Sequence, residues 1–154
     1  MKVIMKDGLV KDFKFEEKEG KNAFRHTASH VLAQAVKRLY PTTKCAIGPV
    51  IEDGFYYDFE FDFEFTAANL VEIEQEMRKI VKESLSLQRY TLNREEALAL
   101  MKEKNEPYKI ELINDLPEDA QLSFYQQGDY VELCAGPHVT NTSLIKAFKL
   151  TATA

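Results

Sequence analysis

The sequence is poor in the features that mark specialised or non-globular chains. Among 154 residues there are only two cysteines, six glycines and five prolines. Two thiols, Cys45 and Cys134, cannot build a disulfide framework, so they read as free cysteines of a reducing compartment. The low glycine and proline content excludes collagenous and low-complexity chains. No apolar run approaches the roughly 20 residues that cross a bilayer. The start Met1-Lys2-Val3-Ile4-Met5-Lys6-Asp7 lacks a signal-peptide core. No membrane partner is expected, and the expected location is the cytoplasm. Positive charge is not in excess either. A net charge of −5 argues against broad, non-specific nucleic-acid binding, while leaving room for a small site that takes one end of an RNA. Several catalytic signatures are missing: the nucleophile elbow G-x-S-x-G, the P-loop, G-x-G-x-x-G, and the metalloprotease H-E-x-x-H, since Thr27 stands where its glutamate would be. Gly48-Pro49-Val50 is a turn and not a phosphate cradle.

What is present is a globular composition, 45% hydrophobic and 29% charged. A chain this long is one ordinary domain and buries roughly 70% of its unfolded surface. Residues 1–22 read as a hairpin-like entry broken at Asp7-Gly8, with a polar connection from Glu16 to Lys21; residues 23–154 read as the main unit. Phe24 to Tyr40 repeats apolar residues at helical spacing and ends at Pro41. Strands are expected over Cys45–Ile51 and Phe55–Phe65, joined at Glu52-Asp53-Gly54; the alternation of Phe59 to Phe65 gives one aromatic and one acidic face. A helix from Thr66 to about Leu85, a strand over Leu87–Thr91 and a helix from the capping pair Asn93/Glu96 to about Lys104 follow. Further strands are expected over Tyr108–Ile113, Leu122–Gln126, Tyr130–Cys134 and about Lys146–Ala152. The fold class is α+β, a single domain with a mostly antiparallel sheet packed with helices.

All three histidines fall in metal-ligand-like spacings. His26 and His30 form H-x-x-x-H, one helical turn apart on one face. Such a pair also arises by chance. At roughly 100° per residue, however, the stripe Ala28, Leu32, Ala35, Leu39 centres nearly opposite it, so the pair faces solvent or a second surface of the domain. That stripe is expected to pack on the main sheet and to be better buried than Lys37. Cys134 and His138 form C-x-x-x-H across Gly136-Pro137, which cannot be helical and reads as a strand end followed by a tight turn. Tyr130, Glu132 and Cys134 share a strand face; Glu132 is either a carboxylate that orients a histidine or a solvated strand residue. Three imidazoles and one thiol make a good tetrahedral zinc set. Without metal the same groups suit general-base and hydrogen-bonding work around an ester. The four residues are expected to converge on one cleft.

At these residues the sequence resembles the second additional domain, the editing domain, of threonyl-tRNA synthetases, in a superfamily shared with alanyl-tRNA synthetase editing domains and alanyl-tRNA deacylases. The resemblance runs from about Gly20 to Thr151. It is carried by Arg25-His26-Thr27-Ala28-Ser29-His30, Ala33 to Pro41, Ala46-Ile47-Gly48-Pro49-Val50-Ile51, Gly54-Phe55-Tyr56-Tyr57-Asp58, Pro107-Tyr108-Lys109 and Tyr130 to His138. The G-P-V-I and G-F-Y-Y-D segments favour the threonyl branch. The resemblance implies catalytic roles for His26, His30 and Lys109, with Tyr57, Glu132, Cys134 and His138 binding substrate. Glu132 stands where the family's aspartate is expected. The implied activity is editing: hydrolysis of the ester of seryl-tRNA(Thr). The implied partners are a tRNA acceptor end carrying serine and the remainder of a threonyl-tRNA synthetase, of which this chain is expected to be a fragment. No cofactor is expected in this domain. ATP belongs to an absent catalytic core, and zinc, if bound, sits on His26, His30, Cys134 and His138. The alternatives are a zinc-dependent, trans-acting alanyl-tRNA deacylase and a non-catalytic module that positions tRNA.

Overall fold

The computed structural model describes residues 1–151. The chain opens with a hairpin of β1 (Lys2–Ile4) and β2 (Val10–Asp12). The long helix α1 (Lys18–Leu39) follows. Four two-residue strands come next: β3 (Lys44–Cys45), β4 (Val50–Ile51), β5 (Gly54–Phe55) and β6 (Phe59–Glu60). Then come α2 (Ala67–Glu83), β7 (Leu87–Leu92), α3 (Arg94–Glu103) and α4 (Pro107–Asp115). The described part closes with β8 (Leu122–Gln127), β9 (Tyr130–Leu133), β10 (His138–Val139) and a 3₁₀ turn, Thr142–Leu144. The fold is α+β and every strand pairing is antiparallel.

Two three-stranded sheets matter for the site. One has the order β10-β1-β2, so the first hairpin shares a sheet with His138, in the register Ile4 opposite His138. The other is the meander β7-β8-β9, which carries Glu132. Alternation along β9 works as expected: Glu132 is buried toward α1, while Val131 and Leu133 pack with Ala97, Met101, Ile113 and Phe124 in a core shared with α3 and α4.

Helix α1 is the centre of the other core. From Thr27 to Val36 every residue is buried, because the helix is enclosed on several sides. Its main packing partner is α2, with β10 and the β4–β5 hairpin on other faces. The stripe Ala28, Leu32, Ala35, Leu39 was expected to rest on a sheet, but α2 offers Ile73, Met77 and Ile80, all nearly or fully buried. Burying side chains of this size contributes roughly 1.5–3 kcal/mol each. Lys37 is less buried than Ala28, Leu32 and Ala35, while Leu39 is half-buried like it, and its ammonium is tied to the Thr43 carbonyl at 2.8 Å and to Glu106 at 2.9 Å.

Five expectations need correction. The stretch Cys45–Ile51 is not one strand: only its ends pair, Lys44–Cys45 with β6 and Val50–Ile51 with β5. The stretch Tyr108–Ile113 is helix α4 and not a strand: Pro107 occupies its first turn, where a missing N–H costs nothing and the fixed φ suits a helix. Lys109 and Ile113, four apart, are then the buried face. Helix α1 starts at Lys18, ahead of Phe24, because the mostly polar segment Lys18–Asn22 is its first turn and carries no hydrophobic periodicity. The alternating Phe59–Phe65 segment pairs only over Phe59–Glu60, since β3 is equally short. Beyond it, rings of Phe61, Phe63 and Phe65 cluster 4.9–5.1 Å apart without a ladder. Finally, residues 146–151 form no strand; the Leu150 N–H instead donates to Glu74 of α2 at 2.9 Å. Ala152, the end of that expected strand, lies outside the described residues.

Candidate active site

The two spaced pairs meet. One ligand-type atom from each of His26, His30, Cys134 and His138 falls within 4.8 Å of all the others. Helix α1 delivers the first two. The loop between β9 and β10 delivers Cys134, and the first residue of β10 is His138. Cys134 Sγ lies 3.1 Å from His26 Nε2, across 108 residues of sequence, and 3.2 Å from His138 Nε2. The His30 and His138 ring centroids are 4.1 Å apart, and those of His26 and His138 4.4 Å.

The loop conformation rests on Gly136. Its φ of +83° is in the left-handed region that favours glycine, and a Cβ there would stand 2.5 Å from the Tyr125 hydroxyl. The Tyr125 ring, fully buried, backs His138 at 4.3 Å between centroids. Gly48 has a similar role beside Tyr57, whose ring atoms would lie 2.2 Å from an added Cβ.

Behind the tetrad sits Glu132, 4% exposed. One carboxylate oxygen takes Lys109 Nζ at 3.0 Å and the Tyr57 hydroxyl; the other takes the Tyr130 hydroxyl at 3.1 Å and His30 Nε2 at 3.0 Å. Four donors saturate a carboxylate. Burial, reinforced by the Glu132 charge, pushes the Tyr57 and Tyr130 hydroxyls well above their ordinary range, so both stay protonated and donate. Lys109 supplies the counter-charge. Its ammonium is held by Glu132, and the pair places it beside the tetrad through Glu132.

The histidines are neutral at pH 7. Burial first, then neighbouring positive charge from His26 and Lys109, holds His30 well below 6.5. Burial and the two neighbouring histidines do the same for His138. His26 is lowered less, burial being partly offset by Glu132 and the Pro137 carbonyl. The 3.0 Å contact of His30 with Glu132 is thus an approach of a neutral imidazole to the carboxylate and not an ion pair. Burial, with the Glu132 charge, pushes the Cys134 thiol up to about 12, so it is no thiolate nucleophile.

One of the proton arrangements that satisfy the remaining contacts starts at Thr27. Thr27 Oγ1 accepts the Val139 N–H at 3.0 Å and donates to His138 Nδ1 at 2.9 Å. His138 Nε2–H then donates to Cys134 Sγ, whose proton goes to His26 Nε2. His30, with its proton on Nε2 toward Glu132, keeps a bare Nδ1 that is buried and has no partner among the described residues. Thr27 is the functional residue that sequence reasoning missed; its contact with His138 spans 111 positions and leaves no local signal.

The donor set fits zinc. Three imidazoles and a thiol are its usual ligands, and Glu132 on His30 and Thr27 on His138 supply the outer contacts that orient such histidines. The sulfur–nitrogen distances of 3.1 and 3.2 Å are a little under the ~3.5 Å edge of a tetrahedron built from 2.0–2.3 Å bonds, while the four ligand atoms spread up to 4.8 Å, so the ion would draw some of them inward and push others apart.

Comparison with known proteins gives the family. Residues 122–153, which include Glu132, Cys134 and His138, match the family described as threonyl and alanyl tRNA synthetase second additional domain. The chain belongs to that domain family. Its curated relatives are threonine–tRNA ligases. The chain is 59% identical to that of Clostridium novyi (strain NT) over 154 residues, which is all of this chain and 24% of the relative. It is 59% identical to that of Acetivibrio thermocellus over 91% of the chain and 22% of the relative. It is 56% identical to that of Clostridium tetani over the whole chain and 24% of the relative. The chain thus spans about a quarter of the length of the relatives it matches.

Proposed function

We propose that the tetrad hydrolyses the ester of mischarged seryl-tRNA(Thr), as the editing site of a threonine–tRNA ligase. The observation that carries the reading is the meeting of three neutral imidazoles and a protonated thiol at one spot, backed by a saturated, buried carboxylate. Editing answers an energetic need: a synthetic site for threonine loses only about 1–3 kcal/mol of contacts when serine, one methyl smaller, enters.

Each group then has a task. His26 is the histidine of the three that keeps solvent access, so it takes the proton from the attacking water once the Cys134 S–H turns away from its Nε2. His30, fixed by Glu132, offers its bare Nδ1 to a hydroxyl of substrate or to the water. Lys109 acts as a positioning residue: it holds Glu132 at 3.0 Å, and Glu132 holds Tyr57 and Tyr130 and abuts His30. Cys134 and His138 shape the pocket that admits serine. The net charge of −5 suits a site that engages only the acceptor end.

The 4.8 Å convergence also supports a second reading, a zinc-dependent deacylase on the same residues, His26, His30, Cys134 and His138. Bound zinc would supply Lewis-acid polarisation and a more acidic water. Comparing hydrolysis of seryl-, threonyl- and alanyl-tRNA by protein of known metal content separates the readings: the editing assignment requires preference for seryl-tRNA with threonyl-tRNA spared. Preference for alanyl-tRNA with full dependence on zinc selects the second.

A further inference from the structure

Beside the tetrad lies a cavity of about 420 Å³ whose wall includes Pro137, the residue between Gly136 and His138. Three lysines from three separate segments line it: Lys6 in the β1–β2 turn, Lys11 on β2 and Lys18 at the start of α1. Their convergence is built into the fold. The pairing of Ile4 with His138 fixes the hairpin in register with the site, and the Lys6 turn is closed by hydrogen bonds of 2.8 Å between Met5 and both Gly8 and Leu9.

All three lysines are exposed, and among the described residues none has a carboxylate oxygen within 4.0 Å. Two acids share the wall, Asp7 and Glu19, and neither pairs with a lysine of the groove. The Asp7 carboxylate accepts the Leu9 N–H at 3.0 Å, and Glu19 lies in the first turn of α1, where the helix end favours negative charge. The positive field reaches the tetrad, since Lys6 is among the charges acting on both His26 and Cys134. In a chain of net charge −5, such a lysine-lined groove, walled by Pro137 of the loop that carries Cys134 and His138, is where a polyanion would enter.

We propose that Lys6, Lys11 and Lys18 bind the phosphodiester backbone of a single-stranded RNA end and feed its terminal nucleotide to the tetrad. This rests on the editing reading for the identity of the RNA, but the groove's chemistry is independent of hydrolysis. Lysine serves here as a point charge on phosphate and reads no sequence. For a single strand, each phosphate neutralised adds about −0.7 to the slope of log K against log salt.

The experiment uses the full chain and two probes: an RNA hairpin ending in a four-nucleotide 3′ overhang, and the same hairpin with a blunt end. A Lys6→Gln, Lys11→Gln, Lys18→Gln variant is compared with a charge-matched control, Lys79→Gln, Lys82→Gln, Lys102→Gln, on exposed positions of α2 and α3. The expected result is that the groove variant binds the overhang at least ~10-fold more weakly, with the salt slope reduced by about 2, while the control binds as the unsubstituted protein does. Equal losses in both variants, no loss in either, or equally tight binding of the blunt hairpin overturns the proposal. A groove variant that loses solubility but keeps its RNA affinity also overturns it, by assigning the lysines to protection of the exposed β2 edge. The editing reading fails separately: if the unsubstituted protein does not hydrolyse seryl-tRNA, that reading falls while the binding arms still decide this one.

Discussion

His30 Nε2 lies 3.0 Å from Glu132 Oε2, and this contact decides which nitrogen of His30 is left for chemistry. Glu132 in turn is held at its other oxygen by Lys109 at 3.0 Å. The position of His30 therefore depends on one buried ion pair between β9 and α4, while burial sets its charge.

Breaking that pair from one side should be costly. Glu132→Gln strands the Lys109 ammonium, 5% exposed, without a counter-charge, and a loss of about 3–5 kcal/mol is expected. Lys109→Met alone should cost a similar amount. The double substitution should recover a large part of it, because neither charge remains to be buried. Urea denaturation of the four proteins reads the coupling directly; strict additivity would show that the pair is not the unit described here.

Acid should unfold the metal-free protein through its histidines. His30 and His138 titrate well below 6.5 when folded, while the unfolded chain keeps an ordinary value near 6.5. Between those values the unfolded state binds more protons, so stability is complete above pH ~6.5 and falls as pH drops below it. Each histidine contributes a slope of up to about 1.4 kcal/mol per pH unit. Denaturation of chelator-treated protein from pH 7.5 to 5 should show this decline. His30→Asn should flatten it, and a pH profile unchanged by that substitution would place the acid sensitivity elsewhere.

Cys134 should be dispensable as a nucleophile. With its thiol near 12 in the metal-free protein, alkylation at pH 7 should be far slower than for an ordinary exposed cysteine. Cys134→Ser should keep hydrolysis within about tenfold. A covalent seryl-enzyme trapped on Cys134 would contradict this.

Gly136→Ala should damage the site without touching a reacting group. The positive φ costs about 1–3 kcal/mol for alanine, and the new methyl meets the Tyr125 hydroxyl. In a Tyr125→Phe background the penalty should shrink, because the clash goes while the φ cost stays. An unchanged melting temperature for Gly136→Ala would mean the loop has room that the structure does not show.

The site was legible wherever residues near in sequence shared one element. H-x-x-x-H on α1 and C-x-x-x-H around Gly136-Pro137 marked four residues, and alternation along β9 put Glu132 beside Cys134. The capping pair Asn93/Glu96 set the start of α3, with the Glu96 N–H 2.8 Å from Asn93 Oδ1. What stayed hidden was long-range or ambiguous. Proline is equally able to follow one helix and open the next, so Pro107 concealed α4 and with it the setting of Lys109. Short strands such as β3 and β6 carry too few residues for a period, and the aromatic alternation of Phe59–Phe65 came from ring clustering instead of a ladder. The Thr27–His138 contact, like the link between Glu106 and Lys37 that pins α4 to α1 at 2.9 Å, is a product of tertiary packing.

The central claim is ester hydrolysis of mischarged tRNA at the tetrad, and its most direct measurement is the first-order deacylation rate of seryl-tRNA(Thr) against threonyl-tRNA(Thr), using protein of measured metal content, beside His26→Ala. The expected result is rapid loss of serine, threonine retained, and a fall of about 10²–10⁴-fold in the variant. A seryl-tRNA rate no higher than in buffer, or a His26→Ala protein as fast as the unsubstituted one, would contradict the account.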